Sequence, residues 1–394
     1  MSIALNIITK PIVDQKMSKI AIIGASYLQL PLVRKAKEMG LEIHCFAWDK
    51  DAVCKEEVDS FYPISIVEKE KIFQICQSIE IDGICTIASD VAAPTVSYVA
   101  EKMHLNANSY QSAVNANNKY IMRDLLSQAE IRCPKYKMIQ SLQDASSEEW
   151  EYPLIVKPTD RSGSLGVAKV MSYEELCPAV EFALSVSFEK QVMIEEFIEG
   201  REISVEFISY KGVHYPLQIT DKVTTGAPHF VELEHHQPST LSPVQYSEIY
   251  DITRRALNSL GLTDGASHSE YKIADDGKVY VMEIGGRMGG DFIGSDLVKL
   301  STGYDFVKGV IDVALQKFEK PILTFSKYSG VYFLSKETEQ LYNHFQNAAR
   351  NKYIVKSEIT SSKLSSLKCS GDRSGYMIYQ SDYKYKIELN ESNS

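Results

Sequence analysis

A lysine at the end of an apolar run, followed by a turn rich in glycine and serine, is the feature of this 394-residue chain most typical of phosphate chemistry. Ile155 and Val156 precede Lys157, and the turn at 162–167 reads Ser-Gly-Ser-Leu-Gly-Val. Small residues let backbone N–H groups approach phosphate oxygens, and the ammonium supplies positive charge. The turn is not a Walker loop, because no Gly-x-x-x-x-Gly-Lys-Ser/Thr sequence occurs. A solvated hairpin turn is the alternative interpretation.

A second motif is the acidic linker that begins at Glu195 and ends at Glu202. An apolar strand runs into this linker, and a second strand begins near Glu202. Extended linkers leave backbone N–H and C=O groups free for an adenine edge, and a carboxylate just beyond can accept hydrogen bonds from ribose hydroxyls. The linker therefore predicts a nucleotide-binding segment, with an exposed acidic turn as the alternative.

Two carboxylates, Glu270 and Glu283, lie on predicted neighbouring strands joined by the turn at 275–278. Their side chains can converge on magnesium, which prefers oxygen ligands shared with substrate phosphates. Arg287 follows Glu283 by four residues. Its guanidinium can hold a substrate carboxylate with two hydrogen bonds and neutralise charge during phosphoryl transfer.

Composition excludes several other classes of function. The net charge of −10 argues against nucleic acid, which is bound through clustered lysine and arginine. The sequence has neither a leader pattern nor a run of about 18 apolar residues, so we expect no membrane segment and a cytoplasmic location. The seven cysteines show no CxxC pair or zinc-ligand spacing and are predicted to be buried, reduced thiols.

The first part of the chain, which precedes these motifs, is predicted to form a parallel sheet. Apolar runs at 20–23, 41–48 and 81–87 alternate with helical patterns, as in α/β folds whose sheets are covered on both faces. The turn at 24–29 has only the first glycine of a dinucleotide fingerprint. We interpret it as structural, which argues against a dehydrogenase.

Beyond residue 110 the pattern becomes mixed α+β. One helix is predicted at 115–126, bearing Lys119 and Arg123 and ended by Cys133-Pro134. Strands are predicted at 154–156, 192–194, 202–208, 279–284, 328–333 and 376–387, with a helix at 173–185. We divide the chain into an N-terminal domain at 1–115, a central unit at 116–200 and a C-terminal unit at 201–394, with a small closing segment from about residue 320.

Together these ordered motifs make the chain, from residue 18 to about 310, resemble the ATP-grasp carboxylate–amine ligases, which include L-amino acid (dipeptide) ligases. The resemblance implies an ATP-grasp fold: a Rossmann-like parallel-sheet domain followed by central and C-terminal ATP-grasp subdomains. It also implies ATP, Mg²⁺ with Mn²⁺ as a substitute, and small-molecule carboxylate and amine substrates. A homodimer is the default expectation.

Carried over residue by residue, the resemblance assigns phosphate contacts to lysines, a lid to the turn at 162–167, and adenine and ribose contacts to the acidic linker. The implied ATP-binding residues are Lys119, Lys157, Ser162, Gly163, Ser164, Gly166, Val167, Glu195, Glu196, Phe197, Ile198, Glu202 and Lys222. Glu270 and Glu283 would bind the metal and, with Arg287, form the catalytic set. The implied substrate-binding residues are His235, Arg287, Gly289 and Gly290.

The segment Glu232-x-x-His235-x-x-Pro238 resembles a family pattern near the acceptor pocket. This alignment places His235, and not His236, on the substrate. Two surface imidazoles on a loop are the alternative interpretation.

One departure from the family pattern narrows the choice of acid that is activated as the first substrate. Many family members carry Glu-x-Asn-x-Arg, where this chain has Gly285 between Glu283 and Arg287. The amino acid ligase branch tolerates this change, whereas branches that use bicarbonate tend to keep the asparagine. We therefore predict a ligase that activates an organic acid, which the resemblance implies is an amino acid, as an acyl phosphate and couples it to an amine. A bicarbonate- or formate-activating ligase of the purine-biosynthesis type and a non-catalytic nucleotide-binding protein are the alternatives.

Overall fold

The computed structural model describes residues 17–146, 150–161 and 165–387. Its first region is a parallel four-stranded sheet in the order β3-β2-β1-β4, which confirms the predicted α/β pattern. The residues at 20–23 in the central strand β1 are fully buried, as expected for a strand covered on both faces. The elements are β1 Lys19–Ile23, α1 Leu30–Glu38, β2 Glu42–Phe46, β3 Ser60–Tyr62, α2 Lys69–Ile79, β4 Gly83–Cys85 and α3 Ala93–Met103.

The single helix predicted at 115–126 is wrong, because the chain forms two helices, α4 Tyr110–Asn117 and α5 Lys119–Gln128. Asn118 between them is extended, and its side chain accepts hydrogen bonds from the N–H groups of Tyr120 and Ile121. This N-cap starts a new helix at Lys119, whose own N–H donates to the carbonyl of Thr159. Lys119 is thereby fixed beside the strand that carries Lys157.

The central region is a small antiparallel sheet in the order β5-β8-β6-β7. Its apolar face packs on α7 and has its own core, which includes Leu154, Leu176 and Val192. The predicted strands at 154–156 and 192–194 and the helix at 173–185 are confirmed. The elements are β5 Tyr136–Ile139, α6 Leu142–Ser146, β6 Leu154–Pro158, β7 Ala168–Val170, α7 Tyr173–Val186 and β8 Val192–Glu196.

The last region is an eight-stranded antiparallel sheet in the order β13-β12-β9-β10-β11-β14-β16-β15. Helix α8 begins with a capping box at Ser242 and Gln245 and ends at Gly261 in the left-handed conformation. The elements are β9 Arg201–Tyr210, β10 Val213–Thr224, β11 Glu232–Gln237, α8 Pro243–Leu260, β12 Gly265–Ile273, β13 Val279–Gly285, α9 Val298–Thr302, α10 Phe306–Ala314, β14 Tyr328–Leu334, α11 Tyr342–Gln346, β15 Ile354–Ile359 and β16 Gly375–Ser381.

The C-terminal segment extends this large sheet. Strand β14 pairs with β11, and β16 pairs with β14 and β15, so the segment expected to close the fold is joined to it by backbone hydrogen bonds. The strand predicted at 376–387 ends at Ser381. The domain boundaries stay a prediction.

The core of the N-terminal sheet continues into the large sheet. Helix α10 contributes Phe306 and Ile311 to the same buried cluster as Ile20 and Ile22, together with Ile208 of β9. Burial of this shared apolar surface holds the parallel sheet against the large sheet.

Two predictions from composition can be compared with the structure. In the described residues, no helix is long and apolar enough to span a membrane. All seven cysteines are free thiols, as predicted, and Cys45, Cys54, Cys76 and Cys85 are buried. The prediction of burial is wrong for Cys369, which is exposed next to a short helical turn, and Cys133 and Cys177 are only partly buried.

Candidate active site

A cavity of about 540 Å³ lies where the three sheets meet. It is lined by Tyr27 from the N-terminal sheet, Lys157 from the small sheet and Glu270 from the large sheet. The predicted site residues that line it are Lys119, Lys157, Val167, Glu195, Phe197, Ile198, Glu202, Lys222, His235, Glu270, Glu283, Arg287 and Gly290.

Among the described residues, the predicted site residues Gly166, Glu196 and Gly289 do not line this cavity. Ser162, Gly163 and Ser164 lie outside the described residues. Glu196 accepts a hydrogen bond from the N–H of Lys135 through its side chain. Gly166 has φ +79°, and a Cβ there would lie 2.7 Å from Val186 and 2.9 Å from Pro158, so this glycine has a packing role. Contacts of these residues with a nucleotide stay predictions.

Glu270 and Glu283 face each other across β12 and β13, where they are direct partners in the antiparallel register. Two carboxylates in this position repel each other unless cations compensate them. Lys222 Nζ lies 2.5 Å from Glu270, and Lys119 Nζ lies 3.0 Å from Glu283. Both carboxylates are about one-third exposed and line the cavity, so they form a pair of hard oxygen donors that fits a divalent cation.

Charge on Glu270 is strongly favoured. Burial opposes its ionisation, but the attraction of Lys222 and the hydrogen bond from His268 outweigh burial and hold the pKa of Glu270 well below its usual value. The pKa of Lys222 is correspondingly raised, since Glu270 and Glu232 outweigh its own desolvation. The carboxylate is thus ionised and available to a cation at neutral pH.

Lys157 is held by a buried ion-pair network. Its Nζ lies 2.5 Å from Glu195 Oε2, and Arg123 Nε lies 2.6 Å from Glu195 Oε1. Burial, together with the charges of Arg123 and Lys119, lowers the pKa of Lys157, while the two cations depress the pKa of Glu195 despite its burial. The side chain of Glu195 therefore positions Lys157, a role that the sequence did not indicate; adenine binding by its backbone stays a prediction.

The acidic linker carries an aromatic ring flanked by cations. Lys169 Nζ lies 3.7 Å and Lys272 Nζ 5.0 Å from the ring centroid of Phe197. Lys272 also lies 3.1 Å from Glu202. Lys169 and Lys272 were not predicted as site residues, although β7 follows the small-residue turn and β12 carries Glu270.

Arg287 binds a carboxylate from the N-terminal sheet. Its Nη2 lies 2.7 Å from Asp90 Oδ2, and both side chains are about 15% exposed. In the described residues, Arg287 Nε has no hydrogen-bond partner. A guanidinium that already holds one carboxylate and has a free N–H is suited to bind a second one.

Gly285, the departure from the family pattern, makes room for this pair. A Cβ at this position would lie 3.0 Å from Asp90 Oδ1 and 3.3 Å from the guanidinium carbon of Arg287. An asparagine would therefore crowd the ion pair, which gives a physical reason for glycine here.

A second buried chain of polar groups supports Glu270. His268 hydrogen-bonds Glu206 through Nδ1, and its Nε2 lies 3.3 Å from Glu270. Glu206 outweighs the desolvation of His268 and raises its pKa to about 9. Gly289 donates its N–H to Glu206, and a Cβ there would lie 2.8 Å from both Glu206 and His268. Alternation along a strand places residues 268 and 270 on one face, and this signal could have revealed His268.

The two adjacent histidines have different environments. His235 is 1% exposed, lines the cavity and has no partner for Nδ1 in the described residues. His236 hydrogen-bonds Glu234 and the hydroxyl of Tyr379. Burial and the nearby charge of Lys222 hold the pKa of His235 well below its usual value, so its imidazole is neutral. The interpretation as two surface imidazoles is therefore wrong, and the substrate contact of His235 stays a prediction.

The N-terminal sheet contributes one side of the cavity, and its residues were not predicted from the sequence. The turn at 24–29, interpreted as purely structural, places Tyr27 and Leu28 on the cavity. Ala88, Ser89 and Asp90 follow β4 and line the same cavity. Ligands of open parallel sheets bind beyond the carboxyl ends of the strands, and this general rule was the available signal.

Comparison with known proteins supports this fold. Residues 150–296 match the family profile described as ATP-grasp domain, so the chain contains an ATP-grasp domain. The fold of the chain is similar to that of an L-amino acid ligase from Bacillus licheniformis, with a TM-score of 0.76 at 23% identity, covering 93% of this chain and 94% of the other.

Among curated proteins the chain is similar to two ligases. Alanine–anticapsin ligase of Bacillus subtilis (strain 168) is 28% identical over 268 residues, which are 62% of this chain and 56% of the relative. D-alanine–D-alanine ligase of Pseudomonas entomophila (strain L48) is 28% identical over 166 residues, 39% of this chain and 49% of the relative. The chain spans about half the length of these relatives.

Proposed function

We propose that this protein is an ATP-dependent carboxylate–amine ligase that forms an amide or peptide bond and releases ADP and phosphate. The observation that supports this most directly is the juxtaposition in one cavity of phosphate-binding cations, a pair of carboxylates and an arginine. Lys119, Lys157 and Lys222 supply the cations. The predicted activity and the names of the related ligases agree with this arrangement.

The metal in this proposal is magnesium, with manganese as a substitute. Glu270 and Glu283 would hold it, since their carboxylate oxygens lie opposite each other on neighbouring strands. When bound, the ion supplies charge neutralisation for the phosphate oxygens. The lysines paired with these carboxylates line the same cavity and add positive charge to the triphosphate site.

The first chemical step needs positioning and charge neutralisation. A carboxylate oxygen of the substrate attacks the γ-phosphorus of ATP, the bond to the β,γ-bridging oxygen breaks, and ADP leaves. Arg287 binds the attacking carboxylate and compensates charge on the transferred group. The product is an acyl phosphate, which must be protected from water.

In the second step an amine attacks the acyl carbon. The carbon–oxygen bond to phosphate breaks, phosphate leaves with the electron pair, and the nitrogen loses a proton to give the amide. No side-chain nucleophile is required. The lid predicted at 162–167 would exclude water during both steps.

We further propose that the activated acid is an amino acid. The names of the related ligases point to alanine-type substrates in those proteins, and Gly285 fits the amino acid ligase pattern. The homodimer, the cytoplasmic location and the absence of a nucleic-acid partner stay predictions.

A screen of ADP release tests this function. The purified chain is incubated with ATP, Mg²⁺ and pairs of the twenty L-amino acids, and Lys157→Met serves as the inactive control. We expect ADP formation that depends on at least one amino acid pair, with one phosphate and one dipeptide formed per ADP. ATP binding without ADP formation for any pair would instead favour the non-catalytic alternative.

Isotope transfer distinguishes the proposed ligase from a bicarbonate-activating one. With an amino acid labelled by ¹⁸O in its carboxylate, an acyl-phosphate mechanism moves one labelled oxygen into phosphate. Labelled phosphate from ¹⁸O-bicarbonate, with none from the amino acid, would contradict the proposal and support the purine-type alternative.

A further inference from the structure

The cavity has an acidic end that the proposed mechanism does not use. Glu232 and Asp291 line the cavity beside Ser370. Arg373 contacts both carboxylates: its Nη2 lies 3.1 Å from Glu232 Oε2, and its Nη1 lies 2.9 Å from Asp291 Oδ2. Arg373 and Ser370 belong to the C-terminal segment and lie outside the residues that match the ATP-grasp domain.

Arg373 is built into this end as a rigid support. Its side chain is 7% exposed and its guanidinium carbon lies 3.7 Å above the centroid of the Phe333 ring. The same Nη2 donates to the backbone carbonyl of Glu232, at 3.1 Å. A planar guanidinium that stacks on an aromatic ring and holds one carboxylate with each terminal nitrogen fixes the relative position of the two carboxylates. A flexible lysine cannot do this.

The backbone on both sides is shaped to present these carboxylates. Asp291 has φ 50°, a left-handed conformation that side-chain-bearing residues rarely adopt. In β11 the register with β10 shifts by one residue, so Glu232 pairs with Thr224 while His235 pairs with Lys222. Such a bulge lets residues 232 and 235 point to the same face, and both line the cavity.

The net charge at this end of the cavity is negative and therefore suits a cation. Two carboxylates and one guanidinium carry one net negative charge, and Lys222, 3.6 Å from Glu232, is shared with Glu270. Arg373 occupies Oε2 of Glu232 and Oδ2 of Asp291, so the other oxygen of each is not used by it. His235 lines the same cavity with its buried Nδ1 lacking a partner in the described residues.

We propose that this acidic end binds an alkylammonium group of a substrate, and that Arg373 is the positioning residue that aligns Glu232 and Asp291 for it. The inference rests on the proposed ligase function, because the ammonium belongs to the carboxylate or the amine that the enzyme joins. The ammonium comes either from an α-amino group or from a side chain.

Binding measured without turnover tests this proposal. The nucleotide site is first filled with AMP-PNP and Mg²⁺, and the affinity of four probes is then measured by calorimetry: L-alanine, propionate, L-lysine and L-norleucine. Stronger binding of L-alanine than propionate assigns the site to the α-ammonium. Stronger binding of L-lysine than L-norleucine assigns it to a side-chain ammonium.

Variants of Arg373 connect the preference to this residue. We expect Arg373→Gln to weaken the preferred ammonium probe about tenfold or more, since the two partly exposed carboxylates lose their common partner, and to leave propionate and AMP-PNP affinity within about threefold. The affinity of Arg373→Lys for this probe should lie between those of the wild type and Arg373→Gln, because lysine restores the positive charge but cannot hydrogen-bond both carboxylates in a fixed plane. Arg34→Gln, which removes the exposed partner of Glu57, is the matched control and should bind all probes like the wild type.

The outcomes separate this inference from the function on which it rests. Absence of AMP-PNP binding would overturn both. Normal AMP-PNP binding with no preference for either ammonium probe would overturn only the acidic-end site. Equal loss of AMP-PNP and probe affinity in Arg373→Gln would reduce Arg373 to a structural residue and also overturn its positioning role.

Discussion

The two sides of the cavity are assembled in different ways. The proposed nucleotide side includes Lys119, Lys157, Glu195, Phe197 and Glu202, which come from one continuous stretch of the chain, together with Lys222 of β10. The proposed substrate side combines Tyr27, Asp90, Glu232 and Asp291 with the supporting Arg373, which are far apart in sequence. A site built from one stretch carries a readable motif, whereas a site built from separate loops does not.

The sides also differ in how their charges are held. On the nucleotide side, Arg123, Glu195 and Lys157 form a network with almost no exposed surface. On the substrate side, Asp291 is 21% exposed at its side chain and Tyr27 is 54% exposed. Rigid charges suit a ligand of fixed shape such as a triphosphate, while exposed loop residues can change with the substrate.

The largest expected effect concerns the carboxylate pair between the two sides. Glu270→Gln should lower kcat about a thousandfold, because a neutral amide removes one of two anionic oxygen donors and the charge that holds Lys222. Steady-state ADP release at increasing Mg²⁺ measures it, and we expect a higher Mg²⁺ requirement. Glu202→Gln is the comparison within the cavity, with about a tenfold higher KM for ATP and little change in kcat. Equal kcat losses in both variants would contradict a special role for Glu270.

Next in size is the buried network of the nucleotide side. Arg123→Met should lower the free energy of unfolding by about 3 kcal/mol, because it leaves the buried Glu195 with a single cation and removes the hydrogen bond to the carbonyl of Met282. Urea denaturation at pH 7 measures the change. Arg34→Met, which breaks the exposed pair with Glu57, should leave the urea midpoint unchanged. A small effect of Arg123→Met would show that Lys157 alone compensates Glu195.

The same network predicts a pH dependence. The pKa of Glu195 is depressed below its ordinary 4.5, so its stabilisation is complete above pH 4.5 and is lost as the pH falls through the folded-state pKa. The difference in unfolding free energy between wild type and Glu195→Gln should therefore be constant from pH 7 to 5 and shrink below pH 4.5. Urea denaturation across this range checks the sign. A difference that grows in acid would contradict an ionised Glu195.

A smaller effect is expected at Gly166, in the turn predicted to form a lid. Its stability cost tests the packing role of this glycine separately from nucleotide binding. Gly166→Ala should cost about 2–3 kcal/mol, since it adds contacts with Val186 and Pro158 to a left-handed backbone. Gly212→Ala is a matched control, because Gly212 has nearly the same φ, +77°, and nothing within 4 Å of a Cβ. It should cost only about 1 kcal/mol. Thermal unfolding measures both, and equal losses would remove the packing argument.

These differences explain how far the sequence could predict the molecule. Several strand and helix positions followed from apolar periodicity, whereas β10, β11 and α8 were not predicted. Short local motifs pointed to Lys157, Glu270, Glu283 and Arg287, and the resemblance then gave them roles. The break between α4 and α5 at Asn118 was not predicted, because its N-cap is a local hydrogen bond inside an otherwise continuous helical pattern.

The substrate side was not predictable from spacing. Asp90 meets Arg287 only after the N-terminal sheet has docked on the large sheet, and Arg373 meets Asp291 only through the pairing of β14 with β16. Each contact joins residues that are far apart in sequence, and no local motif fixes their spacing. The turn at 24–29 was interpreted from its incomplete glycine pattern, although its position after a parallel strand was the stronger signal.

The smallest expected effects test whether the two sides act independently. Phe197→Ala should raise the KM for ATP about tenfold and leave the KM values of the acid and amine unchanged, because its ring lies between Lys169 and Lys272 on the nucleotide side. Tyr27→Ala should do the reverse, with about a threefold change in the KM of one substrate and none for ATP. Because Tyr27 is half exposed on a turn, its removal should leave the unfolding free energy within about 0.5 kcal/mol of the wild type. If each substitution changed both kinds of KM, ATP and substrate would be bound through one coupled surface, and the division of the cavity into two sides would fail.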